Sequence, residues 1–494
     1  MIVLPITYWL ALMLATVLLM GSIARRRITY FWASAILITV LIPGLGDLIY
    51  QYPRDIFAIV ATQTIAAKGS FSPADHVLLN FPAPELVFAA LAAATGAGPL
   101  VVVRGFGVAY NLVILMLCFV FFCRLGLPQD AAVLGALTLV LAFYLQGTLI
   151  YSSLIGFIFF ILVAGIILAP FSDRRVTVLL LGVFFSAMVV SHAFSPYLTI
   201  ASVAIPLMGW KIADSTIMKL KLSHFCGERP PSNWLVLILF LLILTAYWAY
   251  FASTPFSWGL LALNSRDLLS LLEGASSPLI SPQTAYERSY VQVTQIYAPV
   301  MFFAFVVYLF TIRDGRRLQL VLMLAGLSGA LVFALAGYLQ EFLARIFAFA
   351  TFPLSYGVGM LFGSSRRILR GIGIIALLMV MTLHLPAHYG QDSFQVIPDA
   401  TIQGVKFVAL HTYSNASFSS PFRSLSWSYY FDVYRLNNPA NAGPGLYYVL
   451  DYASNSWILY TNGDSALREL TNRVTSDRYD RVYSNGMFDL YLQI

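Results

Sequence analysis

Charge is scarce in this chain. Asp, Glu, Lys and Arg make up 10% of its 494 residues and hydrophobic residues 59%, and the mean hydropathy is +0.79. A soluble domain carries about a quarter of its residues as charges. Such a composition excludes a water-soluble globular chain, because most of the length has to dissolve in lipid. Cysteine is scarce too. Cys118 and Cys123 lie in an apolar stretch and Cys226 in a basic one, so no disulfide staple is expected in the C-terminal part. A Gly-rich nucleotide-phosphate loop, an HExxH pair, a CxxC pair and a haem-attachment motif are all missing. Met1–Gly21 lacks the basic start and the clear small-residue cleavage site of a signal peptide and reads as a first span. The net charge of +7 fits basic residues placed by membrane topology, and nucleic acid is not an expected partner.

What is present is a series of apolar runs of about 17–25 residues, the length a helix needs to cross the hydrocarbon layer. Barrel strands would show short alternating segments instead. The expected fold is an α-helical polytopic membrane protein of about twelve transmembrane helices. The spans read as 2–22, 29–45, 101–123, 130–147, 150–171, 176–194, 196–211, 232–252, 295–312, 318–338, 346–363 and 371–386. Basic clusters stand at Arg25-Arg26-Arg27, Arg124, Arg174-Arg175, Lys211 to Arg229, Arg313 to Arg317 and Arg366 to Arg370. With the N-terminus outside, all of them fall on the cytoplasmic side, as the positive-inside rule requires.

Residues 82–96 are apolar but short. If they spanned, Arg124 and Arg174-Arg175 would move outside, so the segment reads as an interfacial helix on the outer leaflet. The transmembrane bundle then covers 1–387, with a first outer loop at 46–100 and a second at 252–294. From about residue 388 the chain turns polar, aromatic and turn-rich, and 388–494 reads as a small α/β or mostly β domain outside the membrane. Strands are expected at 446–450 and 457–460. A hairpin is expected over 482–491, around Asn485-Gly486. Asn415-Ala416-Ser417 matches the glycosylation triplet, a pattern common by chance.

Ionisable groups near the membrane are costly and so become site candidates. Four groups fall at the outer face. Asp47 follows the second span, with Tyr50, Arg54 and Asp55 close behind. A carboxylate beside an apolar wall gains basicity, which suits a general base for an acceptor hydroxyl. A polar helix end or an Asp–Arg structural pair fits the same residues. Asp75-His76 and the run from Asn80 to Glu85 form the second group. Two adjacent residues do not make a metal site, and turn and cap roles fit them better. His192, in Ser191-His192-Ala193-Phe194-Ser195, can hydrogen-bond a phosphate or a sugar, or be satisfied by a neighbouring helix. Arg345, four residues after Glu341, suits a lipid phosphate because guanidinium matches phosphate geometry. The two also suit a self-neutralising i,i+4 pair. Glu287-Arg288 in the second outer loop raises the same possibility. The cytoplasmic loops are too short for a nucleotide-binding domain, so an activated substrate is expected to arrive through the bilayer.

The order of these features resembles the GT-C superfamily of polytopic membrane glycosyltransferases, in particular its poorly characterised prokaryotic members. The resemblance rests on Asp47 after an early span, Tyr50, Arg54-Asp55, Lys68-Gly69, Phe81-Pro82-Ala83-Pro84 opening an interfacial helix, Thr95-Gly96, Arg104 and Arg124-Leu125-Gly126. Ser191-His192, Glu341 with Arg345, and a domain after the last span extend it. It covers the whole chain in layout and short stretches in residues. It implies a plasma-membrane enzyme that moves a sugar from a polyprenyl-phosphate donor to a glycan, lipid or protein acceptor on the outer face. By the same resemblance Asp47 is the catalytic base, with Asp55 a second carboxylate, while the chemistry of the residues points to Arg345, Arg288 and His192 for the donor phosphate. Tyr50, Arg54 and Glu341 support them. Many members pair acidic residues in the first loop. Here Leu48 follows Asp47, which favours a metal-free mechanism over one using a divalent metal. The alternatives are a transporter or flippase, a glycan polymerase or ligase, and a scaffold for surface-glycan assembly. No internal repeat or mid-depth charge supports transport.

Overall fold

The structure is a computed structural model. It describes residues 6–25, 27–44, 58–59, 61–63, 65–66, 69–70, 81–143, 151–214, 234–252, 299–312, 316–329, 339–389, 403–404, 407–408, 411, 417–419, 446–451, 479–484 and 488–493. The helices are α1 (Ile6–Arg25), α2 (Ile28–Thr39, continued by a π-helical turn Val40–Gly44), α3 (Ala83–Thr95), α4 (Pro99–Arg124), α5 (Gln129–Phe143) and α6 (Tyr151–Leu168). They continue with α7 (Arg174–Ser191), α8 (Ser195–Asp214), α9 (Trp234–Tyr250), α10 (Pro299–Thr311), α11 (Arg317–Gly329), α12 (Leu339–Gly363) and α13 (Arg367–Tyr389).

Each segment expected to span holds a helix. Among the described residues, Pro99–Arg124, Arg174–Ser191, Ile346–Gly363 and Arg367–His384 are long and apolar enough to cross a membrane, and the other apolar helices are shorter. The surface agrees with a lipid environment. Trp9, Leu10, Met13, Leu14 and Val17 form an exposed stripe on α1, and Leu235, Ile238 and Leu242 form one on α9. Stripes like these are stable against hydrocarbon and not against water. The chain is an α-helical membrane protein.

The bundle is organised around α5, where every residue from Ala131 to Ala142 is buried. A helix that is apolar all round belongs in the middle of a bundle. It packs against α2, α4, α12 and α13. Small residues make the closest of these approaches possible. A side chain at Gly135 would meet the Ser355 carbonyl at 3.1 Å, one at Gly359 the Ala131 carbonyl at 3.0 Å, and one at Gly363 the Ala131 Cβ at 3.2 Å. Gly359 and Gly363 are four apart, the small-xxx-small spacing that lets helix backbones touch in lipid. Pro353 lies inside α12 and removes one ladder donor there. Around it the Thr351 hydroxyl donates to the Ala348 carbonyl, and Ser355 donates to the Thr351 carbonyl at 2.6 Å.

At one end of the bundle the chain is clasped. The Leu125 carbonyl accepts from the Arg316 guanidinium and, at 3.2 Å, from the Tyr356 hydroxyl. This joins the α4–α5 turn to α11 and α12. The turn needs Gly126, at φ 92°, a region that side chains disfavour. Arg124 donates to the Ala169 carbonyl at 2.9 Å and lies 4.2 Å from the Phe171 ring centroid.

The C-terminal part contains β1 (Ser417–Ser419), β2 (Leu446–Asp451), β3 (Tyr479–Ser484) and β4 (Phe488–Gln493), in one sheet of order β1-β2-β4-β3. The strand expected at 446–450 is β2. The expected hairpin is the antiparallel β3–β4 pair, with a register shift between Arg481 and Tyr483. The parallel β1–β2 pairing was not anticipated. The strand expected at 457–460, and Asn485-Gly486 itself, lie outside the described residues.

The α8–α11 contact gives a direct test of the packing. A Cβ at Gly326 would run into the Ala201 carbonyl, and backbone cannot yield as a side-chain tip can. Gly326→Leu should cost at least ~2 kcal/mol by overpacking, read as a lower melting temperature in detergent. Gly371→Ala, where nothing lies within 4 Å, should leave it within error.

Candidate active site

Away from the clasped end, near the start of α4, α3 packs against α4, α6 and α7. Pro82 is its N-cap residue, and Gly96 closes it in the left-handed conformation, at φ 68°, donating to the Ala92 carbonyl. The segment expected at 82–96 therefore forms a short helix with the expected limits. Its buried face carries Pro84, Glu85 and Phe88. Phe88 meets Phe106 of α4 edge-on, with ring centroids 5.0 Å apart. Its other face exposes Leu86, Val87 and Leu91.

Glu85 is unusual in two ways. It is 2% exposed, and its Oε2 has no hydrogen-bond partner among the described residues. Glutamate at the third helical position ordinarily reaches back to the N-cap N–H. Here the N-cap is Pro82, which has no N–H to offer. Burial pushes the Glu85 carboxyl up to about 7, offset only in part by its own backbone N–H.

A second polar group stands where α6, α7 and α8 meet. His192 caps α7, and its Nε2 lies 2.8 Å from the Ser153 hydroxyl of α6. Its Nδ1 lies 2.8 Å from the Ser195 hydroxyl and accepts from the Ser195 N–H at 3.1 Å. Nδ1 is therefore the acceptor, which leaves Nε2 to carry the proton in the neutral ring. Thr199 donates to the Ser195 carbonyl at 2.8 Å. Gly156 makes the junction possible, since a side chain there would strike Ser195. Both ring nitrogens of His192 thus meet hydroxyls of neighbouring helices.

An aromatic group borders α3. Phe81, just before the helix, lies 6.2 Å from Tyr247 and 6.3 Å from Trp248, and Tyr197 lies 5.5 Å from Trp248. These rings sit at the ends of α8 and α9. Tyr250 and Phe251, at the end of α9, are strongly exposed, as expected of rings at a lipid–water boundary.

Of the other expected site residues, Asp47, Tyr50, Arg54, Asp55 and Arg288 lie outside the described residues. So do Lys68, Asp75, His76 and Asn80. Glu341 and Arg345 lie in the first two turns of α12, and their side chains are outside the described set. The approach to Asp47 is described. The α2 helix ends in the π turn Val40–Gly44, which contains Pro43 and packs on α4 and α5. Single π turns inside or at the end of α-helices occur often at functional sites. Among the described residues there is no group of three metal-ligating side chains.

Neither a family profile nor a curated protein matches the sequence. Solved structures match the fold. Over 94% of this chain, and 98% of the other, it superposes on ArnT from Cupriavidus metallidurans bound to undecaprenyl phosphate, at 10% identity and a TM-score of 0.51. The apo form of ArnT gives the same TM-score over 95% of this chain. The arabinofuranosyltransferase AftD from Mycobacteria matches 94% of this chain at 14% identity and a TM-score of 0.53. This chain spans 40% of AftD's length. AftD and ArnT are GT-C glycosyltransferases, and this chain shares their fold.

Two outcomes test this site. The Glu85 carboxyl holds its proton more tightly folded, at about 7, than at its ordinary 4.5. Its contribution to stability is therefore full below 4.5 and is lost as pH rises through about 7. The melting temperature should fall across that window, and Glu85→Gln should flatten the slope. His192→Ala leaves two buried hydroxyls without their partner and should cost about 1–3 kcal/mol, read by thermal unfolding.

Proposed function

We propose that this protein is a GT-C-type glycosyltransferase that moves a sugar from a polyprenyl-phosphate donor to an acceptor at the outer membrane face. The observation that carries the reading is the near full-length fold match to ArnT, a protein solved with undecaprenyl phosphate bound. In this reading the chain crosses the plasma membrane about twelve times, with its N-terminus and its C-terminal sheet outside. The α3 helix lies at the outer leaflet and the arginine-rich turns face the cytoplasm. The acceptor is a glycan, a lipid or a protein.

The chemistry follows from what such a transfer needs. Asp47, just beyond the π turn, takes the proton of an acceptor hydroxyl as that oxygen attacks the anomeric carbon. The bond from that carbon to the phosphate oxygen breaks, and its electron pair leaves with the polyprenyl phosphate. Arg345 and Arg288 stabilise the charge that develops there, which is often the largest single catalytic effect. Asp55 is a second carboxylate, and Tyr50, Arg54 and Glu341 hold the group in place. With both ring nitrogens engaged, His192 acts on the phosphate side through the Ser153 and Ser195 hydroxyls that it orders.

Purified protein should bind undecaprenyl phosphate. Arg345→Ala should weaken that binding about tenfold or more, as loss of a charge-assisted contact does. Asp47→Asn should keep the binding and lower transfer by about two to four orders of magnitude. Wild-type protein that binds neither undecaprenyl phosphate nor its sugar-linked forms would sink the reading.

A further inference from the structure

Among the described residues nothing gives the Glu85 carboxyl a structural task. Its capping role is blocked by Pro82, Oε2 has no partner among the described residues, and the group is almost fully buried. Burying an unpaired carboxyl is costly. A leucine of similar length would fill the same seam, on the buried face of α3, at no such cost. Features that lower stability with no local gain concentrate at functional sites.

The surroundings indicate what the carboxyl is kept for. One turn before it, Phe81 opens the group of rings that includes Tyr247, Trp248 and Tyr197. A hydrogen-bonding carboxyl beside aromatic faces matches a sugar ring, which offers hydroxyls at its edge and an apolar C–H face for stacking. The far face of α3 exposes Leu86, Val87 and Leu91. A helix with that face in lipid holds its opposite side at headgroup depth. The sugar of a lipid-linked donor is confined to that depth, whereas a water-borne acceptor is not.

We propose that the seam at Glu85, with the aromatic group beginning at Phe81, is the subsite for the sugar ring of the donor, its hydroxyls donating to Oε2. This rests on the glycosyltransferase reading above. Glu85 is then a specificity-determining residue, separate from the groups that hold the phosphate.

The test separates the two readings. Binding of undecaprenyl phosphate is compared with binding of its glucose-, mannose-, galactose- and arabinose-linked forms, for wild type, Glu85→Gln and Glu85→Leu, together with each melting temperature. Wild type should bind at least one sugar-linked form more tightly than the bare lipid. Glu85→Leu should keep bare-lipid affinity, lose about tenfold of the sugar preference and melt at a higher temperature. Glu85→Gln should keep part of the preference. Wild type that binds none of the lipids overturns the transferase reading and this one with it. Wild type that binds the bare lipid but prefers no sugar-linked form overturns the subsite alone. So does a Glu85→Leu protein that keeps the full preference. A lower melting temperature in both variants makes Glu85 a structural residue and overturns the subsite as well.

Discussion

The contact between α5 and α12 sets the spacing of the bundle. Gly135, Gly359 and Gly363 bring the two backbones close enough that a methyl group at any of them would press on a neighbour. In lipid no hydrophobic effect drives helices together, so association depends on such close packing and on polar contacts. Once α5 is held there, it is buried on every side, and α2, α4 and α13 take their positions against it. The large rings fill what remains. Phe122 lies 5.5 Å from Phe352, and Phe160 lies 4.5 Å from Phe349. The ends of the helices, where the chemistry would be, inherit their positions from this packed middle.

Much of this order is legible in the sequence because lipid makes a simple demand. A spanning segment must be long, apolar and helical, so helix positions follow from composition alone. The short helix at 83–95 could be placed because reading it as a span would have put Arg124 and Arg174-Arg175 on the wrong side. The β3–β4 pair was marked by the Asn-Gly dipeptide. A three-residue strand such as Ser417–Ser419 carries no pattern, so its parallel pairing with β2 could not be read. The close helix approaches were missed because glycine is common in apolar runs and only packing shows which ones touch.

The candidate site was legible in part. His192 was selected for its position, but whether its ring was free depended on Ser153, 39 residues away in sequence. Glu85 was visible only as one polar residue in a turn-rich run. Its meaning came from two facts that residue type does not carry: the cap position is a proline, and the side chain points into the bundle's buried side. A glutamate preceded by proline at the N-cap position is the one local signal that would have singled it out. The carboxyl and the histidine network also differ in kind. The network fastens three helices together, while one oxygen of the carboxyl has no partner among the described residues.

The clasp at Leu125 has a consequence for permeability. One backbone carbonyl holds α11 and α12 to the α4–α5 turn, and Arg124 fastens the same turn to the end of α6. Helices tied together at one end can splay only at the other. In the transferase reading proposed above, such a bundle would exchange a bulky lipid sideways through its unfastened end while the fastened end stays shut. At no stage would such a cycle open a continuous water path, so the ion gradients across the membrane would survive every turnover.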